Sequence, residues 1–172
     1  MKYPAALVPT VDGFTLDRTA TVKKHRLDDV FHGLEGSIPL TTLYPSARKR
    51  RTFLHGCVLE VSPEDLYAYV DDDDGHIVLG QGHLRKSEER VLYLDVLHEL
   101  VHVKQFHDGL ELFDRRFAYV DRPTELEAYE LGVREARRIG MKDRDIFEYL
   151  EVPWVTAEEM QRLAYRLGVR VT

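Results

Sequence analysis

The strongest chemical signal in the sequence is the segment His98-Glu99-Leu100-Val101-His102, which fits the pattern H-E-x-x-H. On a helix, residues four apart lie on one face, so both imidazoles can reach a single metal ion. Glu99 then points at the remaining coordination position, where a metal-bound water would be held. The spacing therefore predicts a Zn²⁺ site with Glu99 beside it, rather than two core histidines next to a surface glutamate.

A catalytic zinc needs a third protein ligand and one open position for water. Asp108 lies six residues after His102, but a ligand at that spacing usually requires a chain turn at the position of Gln105, and Gln105 should continue the helix. His107 rotates away from the face that carries the motif. A carboxylate at the start of the next predicted helix is a better candidate, because an antiparallel helix pair can bring it back to the metal.

Two carboxylates near the start of that helix compete for the third ligand position, Glu125 and Glu127. Thr124 and Glu127 have the spacing of a capping box, which would give Glu127 a structural function. Residues two apart on a helix diverge by about 200°, so only one of the two carboxylates can face the histidines. Spacing alone leaves both candidates open.

The motif His98-Glu99-x-x-His102 followed by Glu125-x-x-Ala128 resembles the gluzincin zinc metallopeptidases. In size and order of elements, the chain is most similar to the small ImmA/IrrE-like and minigluzincin proteins, over about residues 66–140. The resemblance implies three zinc ligands, a general base and a small residue that lets the second helix pack near the metal. These are His98, His102 and Glu125 as ligands, Glu99 as base and Ala128 as the small residue.

Other residues would have to support this site. Tyr129 stands where several gluzincins have Asp or Asn, so the hydrogen bonds that orient the ligands should come from elsewhere, with Asp95 and Glu130 as candidates. A donor for the developing oxyanion is also needed. Tyr119, Tyr129 and Arg122 are close enough in sequence to be candidates for that donor.

Helical periodicity begins after Ser87 and predicts the helices that carry the motifs. The first runs from about 88 to 107, with Ser87 as its N-cap and Gly109 as its stop. The second runs from Arg122 or Pro123 to Ile139. Two shorter helices should follow. Asp143 is the expected cap of the first, which ends near Leu150, and Thr156 with Glu159 has the capping-box spacing for the second, which ends before Gly168.

Strands are predicted earlier in the chain, at Thr52–Val61, Leu66–Val70 and His76–Leu79, with a hairpin turn at Asp71–Gly75. A short helix is expected near Leu27–Leu34. The fold class is therefore α+β: a zincin-like single domain over 1–172, in which a small, mainly antiparallel sheet packs on the motif helix and a second helix carries the Glu ligand. Within it, residues 1–50 are an irregular N-terminal region, 51–140 the metallopeptidase core and 141–172 a C-terminal helical pair.

Several other polar features have ordinary explanations. The run Asp71–Asp74 is better explained as a solvated turn than as a Ca²⁺ loop, and Arg48–Arg51 as a solvated loop rather than a phosphate contact or a processing point. Cys57 should be an inert packed thiol in a strand. The histidines other than His98, His102 and His107 lack metal-ligand spacing with one another: His25, His32, His55, His76 and His83.

Composition narrows the class of protein. The 172 residues carry 24 basic and 30 acidic side chains, a net charge of −6, so no overall positive field favours nucleic acid or anionic membranes. The 44% hydrophobic content excludes disorder over most of the length. No apolar run reaches the roughly 18 residues that cross a bilayer, and no signal core is evident, so the expected location is the cytoplasm.

The expected function is zinc-dependent hydrolysis of peptide bonds in a peptide or protein substrate. Two alternatives remain open. One alternative is a catalytically inactive zinc-binding module with a regulatory or interaction function, which a fourth protein ligand or an occluded metal would indicate. The other alternative is a zinc amidohydrolase that acts on a non-peptide amide, which a deep pocket would favour over an extended groove.

Overall fold

The computed structural model describes residues 11–170, which form an α+β fold of small sheets and helices. The strands are β1 (Thr15–Leu16), β2 (Lys24–Arg26), β3 (Phe31–His32), β4 (Val58–Ser62), β5 (Ala68–Val70) and β6 (Ile77–Gly80). The helices are α1 (Leu27–Val30), α2 (Ile38–Leu43), α3 (Ala47–Gly56), α4 (Gln81–Lys86), α5 (Glu89–His107), α6 (Pro123–Arg138), α7 (Asp143–Leu150) and α8 (Ala157–Arg166), with a 3₁₀ helix at Tyr119–Asp121. Within the described range, no helix combines the length and apolarity needed to cross a membrane.

The main sheet has four strands in the order β2-β4-β6-β5. Two of its strand pairs are antiparallel, β2 with β4 and β5 with β6, whereas β4 and β6 are parallel. The sheet is thus mainly antiparallel, as predicted, and β5 is an edge strand. All four residues of β6 are buried, because this strand lies between two others and is covered by α5.

The motif helix α5 is the centre of the core. It packs against β5 and β6 on one side and against α2 and α6 on others. Its residues from Leu92 to Leu94 and from Val96 to Val103 are buried, which is expected of a helix covered on most of its faces. The contacts of Gln105 with Thr124 and of Tyr93 with Glu135 show that α5 and α6 run antiparallel.

The predicted strand Thr52–Val61 is wrong in its first half. Residues 52–56 belong to α3, and the strand starts only at Val58. Ser46 begins this helix, with its hydroxyl accepting from Lys49 N at 3.5 Å, and the four basic residues of Arg48–Arg51 continue it, so they do not form a loop. Cys57 ends the helix rather than lying within a strand. Its thiol is buried, and burial raises its pKa to about 12, as expected for a packed, unreactive cysteine.

Two predicted caps are also wrong. Glu88, not Ser87, is at the N-cap of α5. Ser87 is instead the C-cap residue of a separate helix, α4, and its hydroxyl bonds to His83 Nδ1 at 2.7 Å. Lys142 precedes α7, and Asp143 is its first helical residue.

One turn and one capping box match their predictions. Asp71–Gly75 forms the turn between β5 and β6, closed by a 2.9 Å hydrogen bond from Gly75 N to Asp71 O. Gly75 has φ +76°, and a Cβ there would lie 2.3 Å from the Phe106 ring. The capping box of α8 is present, with Glu159 N donating to the Thr156 hydroxyl at 3.2 Å and Thr156 N to the Glu159 carboxylate at 2.9 Å.

The N-terminal region is more ordered than its sequence predicts. Residues 11–50 contain three short strands and all or part of three helices, whereas the predicted helix at Leu27–Leu34 is limited to α1. The helix α2 packs against both α5 and α6, so this region belongs to the core that holds the motif helices. The beginning of the predicted irregular region, residues 1–10, lies outside the described residues.

Candidate metal centre

The structure brings His98 and His102 of α5 together with Glu125 of α6. The Nε2 atoms of the two histidines are 3.0 Å apart. Glu125 Oε2 lies 3.2 Å from His98 Nε2 and 3.4 Å from His102 Nε2. All three residues are at most 7% exposed. Three donor atoms of the type that zinc prefers therefore converge on one point in the interior.

The local sequence explains how Glu125 reaches the histidines. Pro123 is the first residue of α6, a position that tolerates its missing N–H, and Glu125 follows in the first turn, where the helix dipole favours a carboxylate. Ala128, one turn later, is fully buried against Val101 and Leu131. This small side chain lets α6 pack closely on α5.

The donor atoms have the spacing that a tetrahedral zinc requires. With metal–ligand bonds of about 2.0–2.1 Å, two ligand atoms of a tetrahedron are ~3.3 Å apart. The three observed distances, 3.0, 3.2 and 3.4 Å, fall around this value. In the part of the chain that the structure describes, this group has three protein donors and no fourth, which fits a site with one open position.

Charge interactions link the three candidate ligands. Burial disfavours ionisation of Glu125, but hydrogen bonds from His102 and His98 hold its pKa well below the ordinary range. Burial also disfavours the charged form of His102, yet Glu125 outweighs this and raises the pKa of His102 to about 9. A buried carboxylate beside two imidazoles is therefore an anionic site that attracts a cation, either a proton or a metal.

Glu99 is separate from the ligand group. It is buried next to His98, and its side chain lines the same cleft as the ligands. Burial raises the pKa of its carboxyl above the ordinary value, which favours an acid that can both take and return a proton. Adjacent residues on a helix point about 100° apart, so this orientation beside the ligands is the one its sequence position predicts.

Gln105 is a component of the site that the sequence analysis missed. Its Oε1 lies 2.7 Å from His102 Nδ1, and its Nε2 donates to Thr124 O at 3.0 Å and to Glu127 Oε2 at 2.8 Å.

Glu127 is exposed and bound to Gln105, away from the ligand group. The predicted capping box of Thr124 with Glu127 is wrong, because Arg122 is the N-cap residue of α6 and the Thr124 hydroxyl donates to Leu112 O at 3.4 Å.

Among residues 11–170, neither supporting residue proposed from sequence is hydrogen-bonded to the ligand group, although Asp95 lines a cavity together with His98 and Glu99. Asp95 bonds to His83 Nε2 at 2.6 Å, and Glu130 is exposed on α6. Asp108 and His107 are exposed at the end of α5, so neither approaches the ligand group, as expected.

An aromatic cleft of about 520 Å³ opens onto the ligand group. Tyr119 lines this cleft, and its hydroxyl is 2.8 Å from that of Tyr129. Burial raises the pKa of both phenols well above the ordinary value, so both remain protonated donors. The edge strand β5 forms one wall, and the exposed rings of Phe113 and Trp154 lie on the cleft as well.

A second group, Asp71, Asp74 and His76, also brings possible donor atoms within 4.8 Å of one another. It lies at the β5–β6 turn, where Asp74 and His76 are hydrogen-bonded to each other and Lys24 pairs with Asp74 at 3.3 Å. These contacts account for the group without an ion.

Comparisons of the chain with protein-family models, with curated protein sequences and with solved structures gave no match. The functional argument therefore depends on the geometry of the chain itself.

Proposed function

We propose that this protein is a zinc-dependent peptidase of the gluzincin type, with a zincin-like fold. The observation that carries the proposal is the convergence of His98, His102 and Glu125 at zinc-ligand spacing, with Glu99 beside them on an open cleft. A catalytic zinc, unlike a structural one, requires three protein ligands, a carboxylate that is not a ligand and access for a substrate.

The residues of the chain have distinct tasks in this mechanism. Zinc, when bound, lowers the pKa of a coordinated water toward about 7 and polarises the scissile carbonyl. Glu99 takes a proton from the attacking water, whose oxygen bonds to the carbonyl carbon. The same carboxyl then delivers that proton to the amine nitrogen as the C–N bond breaks. Tyr119 lines the cleft, and its hydroxyl is our candidate donor to the developing oxyanion.

The shape of the cleft supports a peptide as the substrate. Residues 67–70, in and before the edge strand β5, line it beside the ligand histidines. An edge strand has unpaired backbone N–H and C=O groups, with which an extended peptide can pair as an additional strand. This feature favours a peptidase over an amidohydrolase for a compact, non-peptide amide. The open cleft and the three-donor group likewise favour activity over an inactive binding module.

Metal analysis combined with a peptidase assay tests the proposal. We expect one zinc per chain in the wild type, none in His102→Ala, and full zinc with no cleavage of a mixed peptide library in Glu99→Gln. Thermal unfolding of each variant without zinc controls for loss of the fold. Absence of bound zinc after reconstitution would refute the metal site. Zinc binding without cleavage by the wild type would support the inactive module instead.

A further inference from the structure

Arg122 is a charged group in the cleft to which the proposed mechanism gives no task. It lines the same cleft as His98, Glu99, His102 and Glu125. It is the N-cap residue of α6 and precedes the ligand Glu125 by three residues, so its backbone position is fixed by the helix that also carries the ligand.

Among residues 11–170, the guanidinium of Arg122 donates no hydrogen bond. Its Nε is buried and has no hydrogen-bond partner among residues 11–170. The neighbouring acid Asp121 is engaged by Arg162 and Arg166, at 2.9 and 2.6 Å. Asp114 is hydrogen-bonded to Arg116 at 2.6 Å, and the charge of Arg122 adds a weaker attraction that helps to lower the pKa of Asp114 without a hydrogen bond. The described contact of the Arg122 head group is the face of the Tyr119 ring, whose centre is 5.7 Å from Cζ.

An arginine in this state is suited to bind an anion. A buried polar group without a partner is costly, and the cost is recovered when a ligand supplies the missing acceptor. The planar guanidinium offers two parallel N–H donors, which match the two oxygens of a carboxylate. The contact with the Tyr119 ring uses none of these donors, and Arg122 lines the cleft that such a ligand would enter.

The surroundings of Arg122 indicate what carries the carboxylate. The cleft also contains Leu112, Phe113 and Trp154, and the last two are 41% and 53% exposed. Large apolar side chains exposed in a cleft mark a surface that a ligand covers. One cation next to an apolar wall fits an apolar residue at the end of a peptide, where the side chain and the free carboxylate lie on the same residue.

We propose that Arg122 binds the free C-terminal carboxylate of a peptide substrate, so that the protein is selective for peptide bonds close to an apolar C terminus. This inference depends on the proposed peptidase function for the cleavage itself. Binding of the carboxylate does not depend on cleavage and can be measured separately.

The test uses the full-length Glu99→Gln protein loaded with zinc, which should bind peptides without cleaving them. Calorimetry would compare three N-acetylated tripeptides: one that ends in Phe with a free carboxylate, its C-terminal carboxamide, and a carboxamide that ends in Glu. We expect the free acid to bind about 10- to 100-fold more tightly than the Phe carboxamide, the range for a charged hydrogen-bonded pair. If the Glu carboxamide bound more tightly than the Phe free acid, Arg122 would be assigned to an acidic side chain rather than to the C-terminal carboxylate.

Matched variants identify the residue responsible. Adding Arg122→Gln to the Glu99→Gln protein should abolish the preference for the free acid, and Arg122→Lys should restore part of it. Arg48→Gln removes an exposed charge on α3 and should leave the preference intact. Two results would overturn the proposal. One is equal binding of the acid and its amide by the Glu99→Gln protein with Arg122 intact, and the other is a preference for the acid that persists after Arg122→Gln is added. A wild type that does not cleave peptides but retains this binding pattern would refute only the peptidase function.

Discussion

Gln105 Oε1 accepts a hydrogen bond from His102 Nδ1 at 2.7 Å. An amide oxygen can only accept, so Nδ1 carries a proton, and Nε2 is the atom that binds a metal once it has released its own proton. The amide nitrogen of the same side chain donates to Thr124 O at 3.0 Å, one residue before Glu125. Gln105 thus fixes the orientation of one proposed zinc ligand relative to the helix that supplies another.

Replacing Gln105 by Met should weaken zinc binding about 10- to 100-fold, the usual effect of removing a partner that orients a ligand histidine. Met keeps the approximate size of the side chain but cannot accept from Nδ1. Competition with a coloured chelator would measure the affinity. Glu127→Gln is the control, because it keeps an acceptor for the other end of Gln105. An unchanged affinity in Gln105→Met would contradict the orienting function.

Glu125 and Glu127 should respond very differently to substitution by Ala. Loss of the Glu125 carboxylate removes one of three ligands and should reduce zinc affinity by orders of magnitude. Loss of Glu127 removes one exposed acceptor of Gln105 and should cost about 1 kcal/mol of stability or less, with zinc retained. Zinc affinity and urea denaturation of both variants would measure these effects. Zinc loss confined to Glu127→Ala would mean that the register of α6 on α5 is wrong by two residues.

The sequence predicted the parts of the site that depend on local geometry. His98 and His102 are four residues apart on one helix, so their proximity follows from helix geometry alone. The function of Gln105 could not be deduced in this way, because its partner Thr124 is 19 residues away and depends on how α6 packs on α5. The one available signal was its helical spacing, three residues after His102.

The errors in the predicted fold have a similar origin. Residues 52–56 resemble a strand in composition, but they lie in a helix that begins after Ser46. The helical context of these residues therefore overrides their local strand propensity. In the N-terminal region, order depends on distant contacts such as the 2.9 Å hydrogen bond from Ile38 N to Glu135, across 97 residues. A contact between residues so far apart in the chain produces no periodic pattern in the sequence.

The Cys57 thiol should react very slowly in the folded protein. Burial raises its pKa to about 12, so hardly any thiolate, the reactive form, is present at pH 8. A chromogenic disulfide reagent should therefore detect almost no thiol in the native protein at pH 8 and one equivalent after unfolding in urea. Cys57→Ala should give no signal in either condition. Rapid reaction of the native protein would contradict the packing of Cys57 between α3 and β4.

Glu135 is a fully buried carboxylate that holds three helices together. It accepts hydrogen bonds from Tyr93 OH of α5 at 2.5 Å, from Ile38 N of α2 at 2.9 Å and from Arg138 Nε of its own helix at 2.8 Å. Burial alone would raise its pKa, but these donors outweigh burial and lower the pKa below the ordinary value. The ionised form is therefore stabilised by folding.

The sign of the pH dependence follows from that shift. Because the pKa of Glu135 is lower in the folded than in the unfolded chain, its contribution is complete above the unfolded value of about 4.3 and is lost as the pH falls through the folded value. Glu135→Gln should lower the free energy of unfolding by about 2 kcal/mol at pH 7, because the buried donors from Tyr93 and Ile38 would then face a neutral acceptor. The partner Arg138 is 47% exposed, so loss of the ion pair itself adds little. The difference from the wild type should narrow below about pH 4.3. Urea denaturation at pH 7 and at pH 3.5 would measure both effects, with the exposed Glu130→Gln on the same helix as a control that changes little. A constant difference between wild type and Glu135→Gln across this range would show that Glu135 stabilises the core by its shape and hydrogen bonds rather than by its charge.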